Sequence, residues 1–114
     1  MEIKVFKNDE QIYILKPLSG LDLYNAEKIK ELIMKLVEKG MKGVILDLKK
    51  VGSIGSAGIG ALISISSTLQ KINCDLAIIN YNNKVEKAIE MTKLTNYLPS
   101  TPTLKQAVEQ IRSE

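Results

Sequence analysis

The chain has 114 residues, 45% of them apolar and 25% charged, with a formal net charge of +3, the profile of an ordinary globular domain of common size. It contains no histidine and a single cysteine, Cys74, which excludes a histidine-based catalytic triad, an intramolecular disulfide and the usual metal ligand sets. Apolar runs such as Val44-Ile45-Leu46 fall far short of the ~20 residues of a membrane-spanning helix, and "MEIKVFKNDE" has neither the apolar core nor the cleavage site of a signal peptide.

Residues 2–7 alternate as a strand does, and residues 11–16 form a second strand after the turn signal "NDE". So short a gap predicts an antiparallel hairpin. From residue 25 to 39 the apolar positions Ala26, Ile29, Ile33, Leu36 and Val37 recur at helical spacing, with Asn25 as the expected N-cap and Gly40 as the stop. "GVILDL" at 43–48 is apolar with little alternation, as in a strand buried on both faces. Ile59, Leu62, Ile63, Ile65, Leu69 and Ile72 mark a second helix, and "DLAIIN" at 75–80 marks another buried strand. Val85, Ala88 and Ile89 mark a short third helix. Leu104, Ala107, Val108 and Ile111 mark a fourth, opened by Thr101 and Pro102.

The expected order is therefore β-β-α-β-α-β-α-α. Strand–helix–strand alternation demands parallel neighbours, so the fold class is α/β: a mixed sheet, antiparallel at its N-terminal hairpin and parallel beyond it, packed with about four helices in one domain spanning 1–114.

Charge and composition bear on partners. All but one of the 16 basic residues are lysine, the exception being Arg112, and there is no tryptophan. Arginine is the usual bidentate reader of guanine and aromatics the usual base-stacking platforms, so no nucleic-acid partner is expected. The lysines are interspersed with glutamates, as in Glu31/Lys35 and Glu38/Lys42, the spacing of ion pairs on a solvated helix. The lone thiol of Cys74, at the edge of an apolar run, fits a structural packing role and a reducing cytosol.

The densest local signal is "GSIGSAGIG", residues 52–60, which holds four of the seven glycines. It joins a strand to a helix, where open α/β sheets gather ligands and where unpaired helix N–H groups favour phosphate. Yet Gly55, Gly58 and Gly60 run G-x-x-G-x-G, the reverse of the dinucleotide fingerprint, and no lysine follows as a P-loop requires. The residue left with chemistry is Ser56, expected at the N-cap of the second helix. Its hydroxyl either caps free N–H groups, accepts a phosphate on an exposed turn, or does both.

The whole pattern resembles a STAS domain, the fold named for sulfate transporters and anti-sigma factor antagonists. The resemblance covers nearly the full length. It rests on "LDLYNAEKIKELI" (21–33), "VILDLKKVGSIGSAGIGALI" (44–63) and the late "LAIIN". Asp47-Leu48 matches the family's strand end, and Ser56-Ala57-Gly58-Ile59-Gly60 matches its D-S-x-G-[LI]-G helix opening.

With no membrane segment expected, the chain most resembles the free-standing bacterial anti-sigma factor antagonists. That resemblance implies a cytoplasmic regulator without enzymatic activity or cofactor. It implies that Ser56 is phosphorylated by a partner that is both serine kinase and anti-sigma factor. The unphosphorylated form binds this partner and releases the sigma factor; phosphorylation ends binding, and a phosphatase restores it. The implied interface comprises Ser53, Ile54, Gly55, Ser56, Ala57, Gly58 and Ile59, flanked by Asp22, Tyr24 and Asn25. Two residues depart from the family: Gly55 replaces its aspartate before the serine, and Gly20 replaces an acidic residue before "LD". Gly55 is also expected to loosen the turn. These departures leave room for an unphosphorylated STAS adaptor subunit in a signalling or transport assembly. A nucleotide-binding module is a third reading, resting on fold analogy alone.

Overall fold

The computed structural model describes residues 3–8, 11–91 and 108. Four strands, β1 (Ile3–Lys7), β2 (Ile12–Pro17), β3 (Gly43–Asp47) and β4 (Asp75–Ile79), and three helices, α1 (Leu23–Glu38), α2 (Ser56–Lys71) and α3 (Asn83–Glu90), follow the order β1-β2-α1-β3-α2-β4-α3. The sheet order is β1-β2-β3-β4. β1 pairs antiparallel with β2, with Val5 opposite Leu15, whereas β2/β3 and β3/β4 are parallel. The expected mixed sheet is thus present. Three helices stand among the described residues rather than about four, and the expected fourth lies outside them except for Val108, which is helical.

The topology explains which sheet face the helices take. Strand order advances in one direction from β2 to β4, and parallel crossovers are right-handed, so α1 and α2 fall on the same face. Their apolar stripes, including Ala26, Ile29, Ile33, Ala61, Leu62, Ile65 and Leu69, pack with Val85 and Ile89 of α3 onto Tyr13, Leu15, Val44, Leu46 and Ile78. The alternate residues Ile12, Ile14, Ile45, Ala77 and Ile79 form a second cluster on the opposite face, against which Val108 packs. Burial on both faces is why β3 and β4 read as continuous apolar runs instead of alternating ones.

Helix boundaries depart from expectation at their starts. α1 begins two residues before Asn25: Asp22 is the cap, and its Oδ1 accepts a hydrogen bond from the Asn25 N–H at 2.8 Å. An aspartate four positions upstream of Ala26, the first periodic apolar residue, caps as well as asparagine does, and apolar periodicity alone does not register it. The stop at Gly40 occurs as expected, with φ +89, and its N–H bonds to the Val37 carbonyl at 3.0 Å. Because α1 ends at Glu38, Lys42 lies beyond the helix and the expected Glu38/Lys42 helical pair does not exist. The ion pair found on α1 joins Glu27 to Lys30 at 2.7 Å.

Candidate functional site

Since β2, β3 and β4 are mutually parallel, their outgoing loops all emerge at one end of the sheet. These are residues 18–22, 48–55 and 80–82. The chain's chemistry converges there, at the carboxyl ends of the strands.

Ser56 is the first residue of α2, not its cap. The cap position belongs to Gly55, which has extended backbone (φ −99, ψ −169) and no side chain to bond the helix start. The Ser56 hydroxyl therefore has no capping duty, and the residue is exposed. No acidic residue lies in the first turn of α2, so the partial positive charge of its N–H groups is not offset by a neighbouring carboxylate there. Gly55 also does not loosen the turn by way of positive φ, because its backbone is one that any residue adopts.

The glycine that the geometry requires is Gly58. A Cβ there would overlap Ile54 Cγ1 and sit 3.0 Å from the Leu21 carbonyl oxygen, whereas Gly52 and Gly55 face open space. This close approach sets the first turn of α2 directly against the loop that carries Asp22. Two turns of helix are joined further along: Leu23 reaches over Gly60, 3.4 Å from where a Cβ would be, and Lys30 Nζ donates to Ser64 Oγ at 2.8 Å.

The other sequence-predicted residues divide by exposure. Ser53 and Ala57 are exposed, Ile54 and Ile59 half-buried, and Gly58 buried. Asp22 is exposed at its cap. Tyr24 is 66% exposed with the Lys28 ammonium 5.5 Å from its ring centre. Asn25 is buried, and its amide donates to the Gly20 carbonyl at 2.7 Å, so it shapes the 18–22 loop from within.

Sequence reasoning missed three contributors. Leu23, 58% exposed, and Ile63, 47% exposed, add apolar area beside the predicted residues; Leu23 lies off the periodic apolar positions of α1, whereas Ile63 reads in sequence as one of those of α2 and only its exposure sets it apart. Asn82 was also missed, although an asparagine pair after a strand is an N-cap signal. Its Oδ1 accepts from the Val85 N–H at 2.8 Å, and its Nδ2 donates to the Gly52 carbonyl at 2.7 Å. Cys74, half-buried beside the core, has its thiol pushed up to about 11 by burial and then by the charge of Asp75, which makes it a poor nucleophile. Among the described residues no cluster of His, Cys, Asp and Glu could hold a metal ion, and no helix is long and apolar enough to cross a membrane.

The STAS domain family model matches residues 4–108, and the chain belongs to that family. A Thermotoga maritima protein assigned as an anti-sigma factor antagonist is 27% identical over 108 residues, covering 94% of this chain and 96% of its own. The crystal structure of TM1081 of Thermotoga maritima, assigned to the same class, superimposes with a TM-score of 0.81 at 26% identity, covering 96% of this chain and 94% of that one. SpoIIAA, an anti-sigma factor antagonist and Bacillus cell fate determinant, is similar in fold at 15% identity. Its unphosphorylated form superimposes with a TM-score of 0.77 over 99% of this chain and 98% of that one. Its phosphorylated form gives 0.70 over 97% and 100%.

Proposed function

We propose that this protein is an anti-sigma factor antagonist whose binding to a kinase-type anti-sigma factor is switched off by phosphorylation of Ser56. The observation that carries this reading is the exposed Ser56 hydroxyl, free of capping duty, at an α2 N-terminus with no acidic residue in its first turn. The existence of SpoIIAA in phosphorylated and unphosphorylated forms supports it by analogy.

The docking surface comprises Ser53, Ile54, Ser56, Ala57 and Ile59, with Asp22, Leu23 and Tyr24 beside them. Its exposed Leu23 and Tyr24 supply apolar area of the kind that anchors interfaces. The switch follows from charge. A phosphate brings about −1.5 to −2 charges at pH 7, and in the free protein the α2 N–H groups and water solvate it. In a closed interface it must lose that water, and a penalty of ~3 kcal/mol weakens binding more than 100-fold. The protein receives the phosphoryl group from ATP held by its partner, and a phosphatase removes it to restore binding. It performs no catalytic step itself and acts in the cytoplasm as one STAS domain.

Incubation with ATP and a kinase-type anti-sigma factor from the same organism, followed by mass spectrometry, tests the reading. The expected result is one phosphate on Ser56 and loss of the complex. A complex that forms equally well with wild type and Ser56→Asp, without modification of Ser56, overturns the switch. That outcome would favour an adaptor role, which the replacement of the family's aspartate by Gly55 makes the second reading.

A further inference from the structure

We infer that Asn82 is a positioning residue for this site: its side chain ties the loop that presents Ser56 to the start of α3. The inference rests on the proposed role of Ser56 only for its functional consequence. One carboxamide makes two kinds of bond. Its Oδ1 accepts from the Val85 N–H at 2.8 Å, capping α3. Its Nδ2 donates to the Gly52 carbonyl at 2.7 Å and approaches the Val51 carbonyl at 3.4 Å. The orientation of the amide follows from its surroundings, since an N–H faces the oxygen and two carbonyls face the nitrogen.

The loop has need of such a tie. Between Val51, whose N–H bonds to the Leu48 carbonyl at 3.0 Å, and Gly55, whose carbonyl accepts from Ile59 at 2.9 Å, residues 52–54 include the exposed Gly52 and Ser53. Only Val51 and Ile54 pack against the core there. A bond to the Gly52 carbonyl fixes the exposed part of the loop at its most permissive residue. Asparagine is suited to this because it alone among good N-caps offers an acceptor for the helix and an amide donor for the loop.

Those two roles separate in the variant Asn82→Asp. Aspartate caps a helix as well as asparagine does but has no hydrogen to give the Gly52 carbonyl. We expect the α3 amides to keep wild-type hydrogen-exchange rates. Backbone order parameters of residues 52–55 are expected to drop from ~0.85 toward ~0.6 or below. The Val51 amide should exchange roughly three- to tenfold faster, the loss of about one hydrogen bond. Asn82→Ala, which loses both roles, should loosen loop and helix together. With the kinase partner, Asn82→Asp should raise the KM for the protein as phosphate acceptor by a similar factor and leave kcat within twofold, because an ordered loop aids docking rather than transfer. Wild-type loop dynamics in Asn82→Asp would overturn the inference. Because the dynamics are read without any partner, that result is distinguishable from failure of Ser56 to be phosphorylated.

Discussion

Within the glycine-rich turn, four chemically identical residues do different work. Gly58 lies where any side chain would collide with Ile54 and the Leu21 carbonyl. Gly58→Ala is therefore expected to cost about 1–3 kcal/mol through overpacking, lowering the thermal midpoint by several degrees. Gly55 is the contrast. Its extended backbone and open surroundings accept a side chain, and an aspartate there would cap α2 while restricting the unfolded chain. Gly55→Asp is expected to stabilise the protein by about 0.5–1 kcal/mol, measured by urea denaturation. It would also restore the family's residue before the serine. From sequence it was Gly55 that stood out, as the glycine expected to loosen the turn; that Gly58 is the required one depends on what stands opposite it, which no local pattern encodes.

The helix starts carry the element-scale lesson. Three helices begin at the same end of the sheet, and each start is built differently. Asp22 caps α1 with its carboxylate, Asn82 caps α3 with its carboxamide, and α2 has glycine at its cap and a serine left free. Removing the α1 cap in Asp22→Ala is expected to cost about 1 kcal/mol. Asp22→Asn should remain within a few tenths of wild type, because the acceptor is kept. Equilibrium denaturation checks both, and the asparagine variant then isolates any contribution of the Asp22 charge to partner binding. The apolar stripes of α1 and α2 were legible because burial against a sheet imposes a 3.6-residue period. The starts were legible only to within three residues, because capping residues fall outside that period.

At the scale of the molecule, the site is a consequence of topology. Parallel β2, β3 and β4 send their loops out together, and right-handed crossovers put α1 and α2 on one face, so the loops 18–22, 48–55 and 80–82 share one end of the sheet. Ser56 is exposed at the edge of this frame rather than within it, which bears on the proposed switch. Negative charge at the start of α2 should leave the fold intact. Ser56→Asp is expected to melt at or slightly above the wild-type temperature, since charge favourable to the helix dipole contributes about 0.3–1 kcal/mol. Binding to the anti-sigma factor should nevertheless fall more than 100-fold. A marked loss of thermal stability in Ser56→Asp would instead point to a switch that acts by unfolding.

The amino-acid sequence by itself determined the order of the elements from β1 to α3 and the mixed sheet, and it singled out Ser56 as the candidate residue. Each of these follows from local periodicity, loop length and side-chain type. It also carried the family resemblance, because the strand–turn–helix motif is continuous in the chain. Only the tertiary structure decided that Gly58 is the glycine the turn needs, that Asn25 faces inward to the Gly20 carbonyl, and that Asn82 reaches back some thirty residues to hold Gly52. Those facts are contacts between segments distant in sequence. Their energies come from steric overlap and paired polar groups, which exist only once the chain has brought the two partners together.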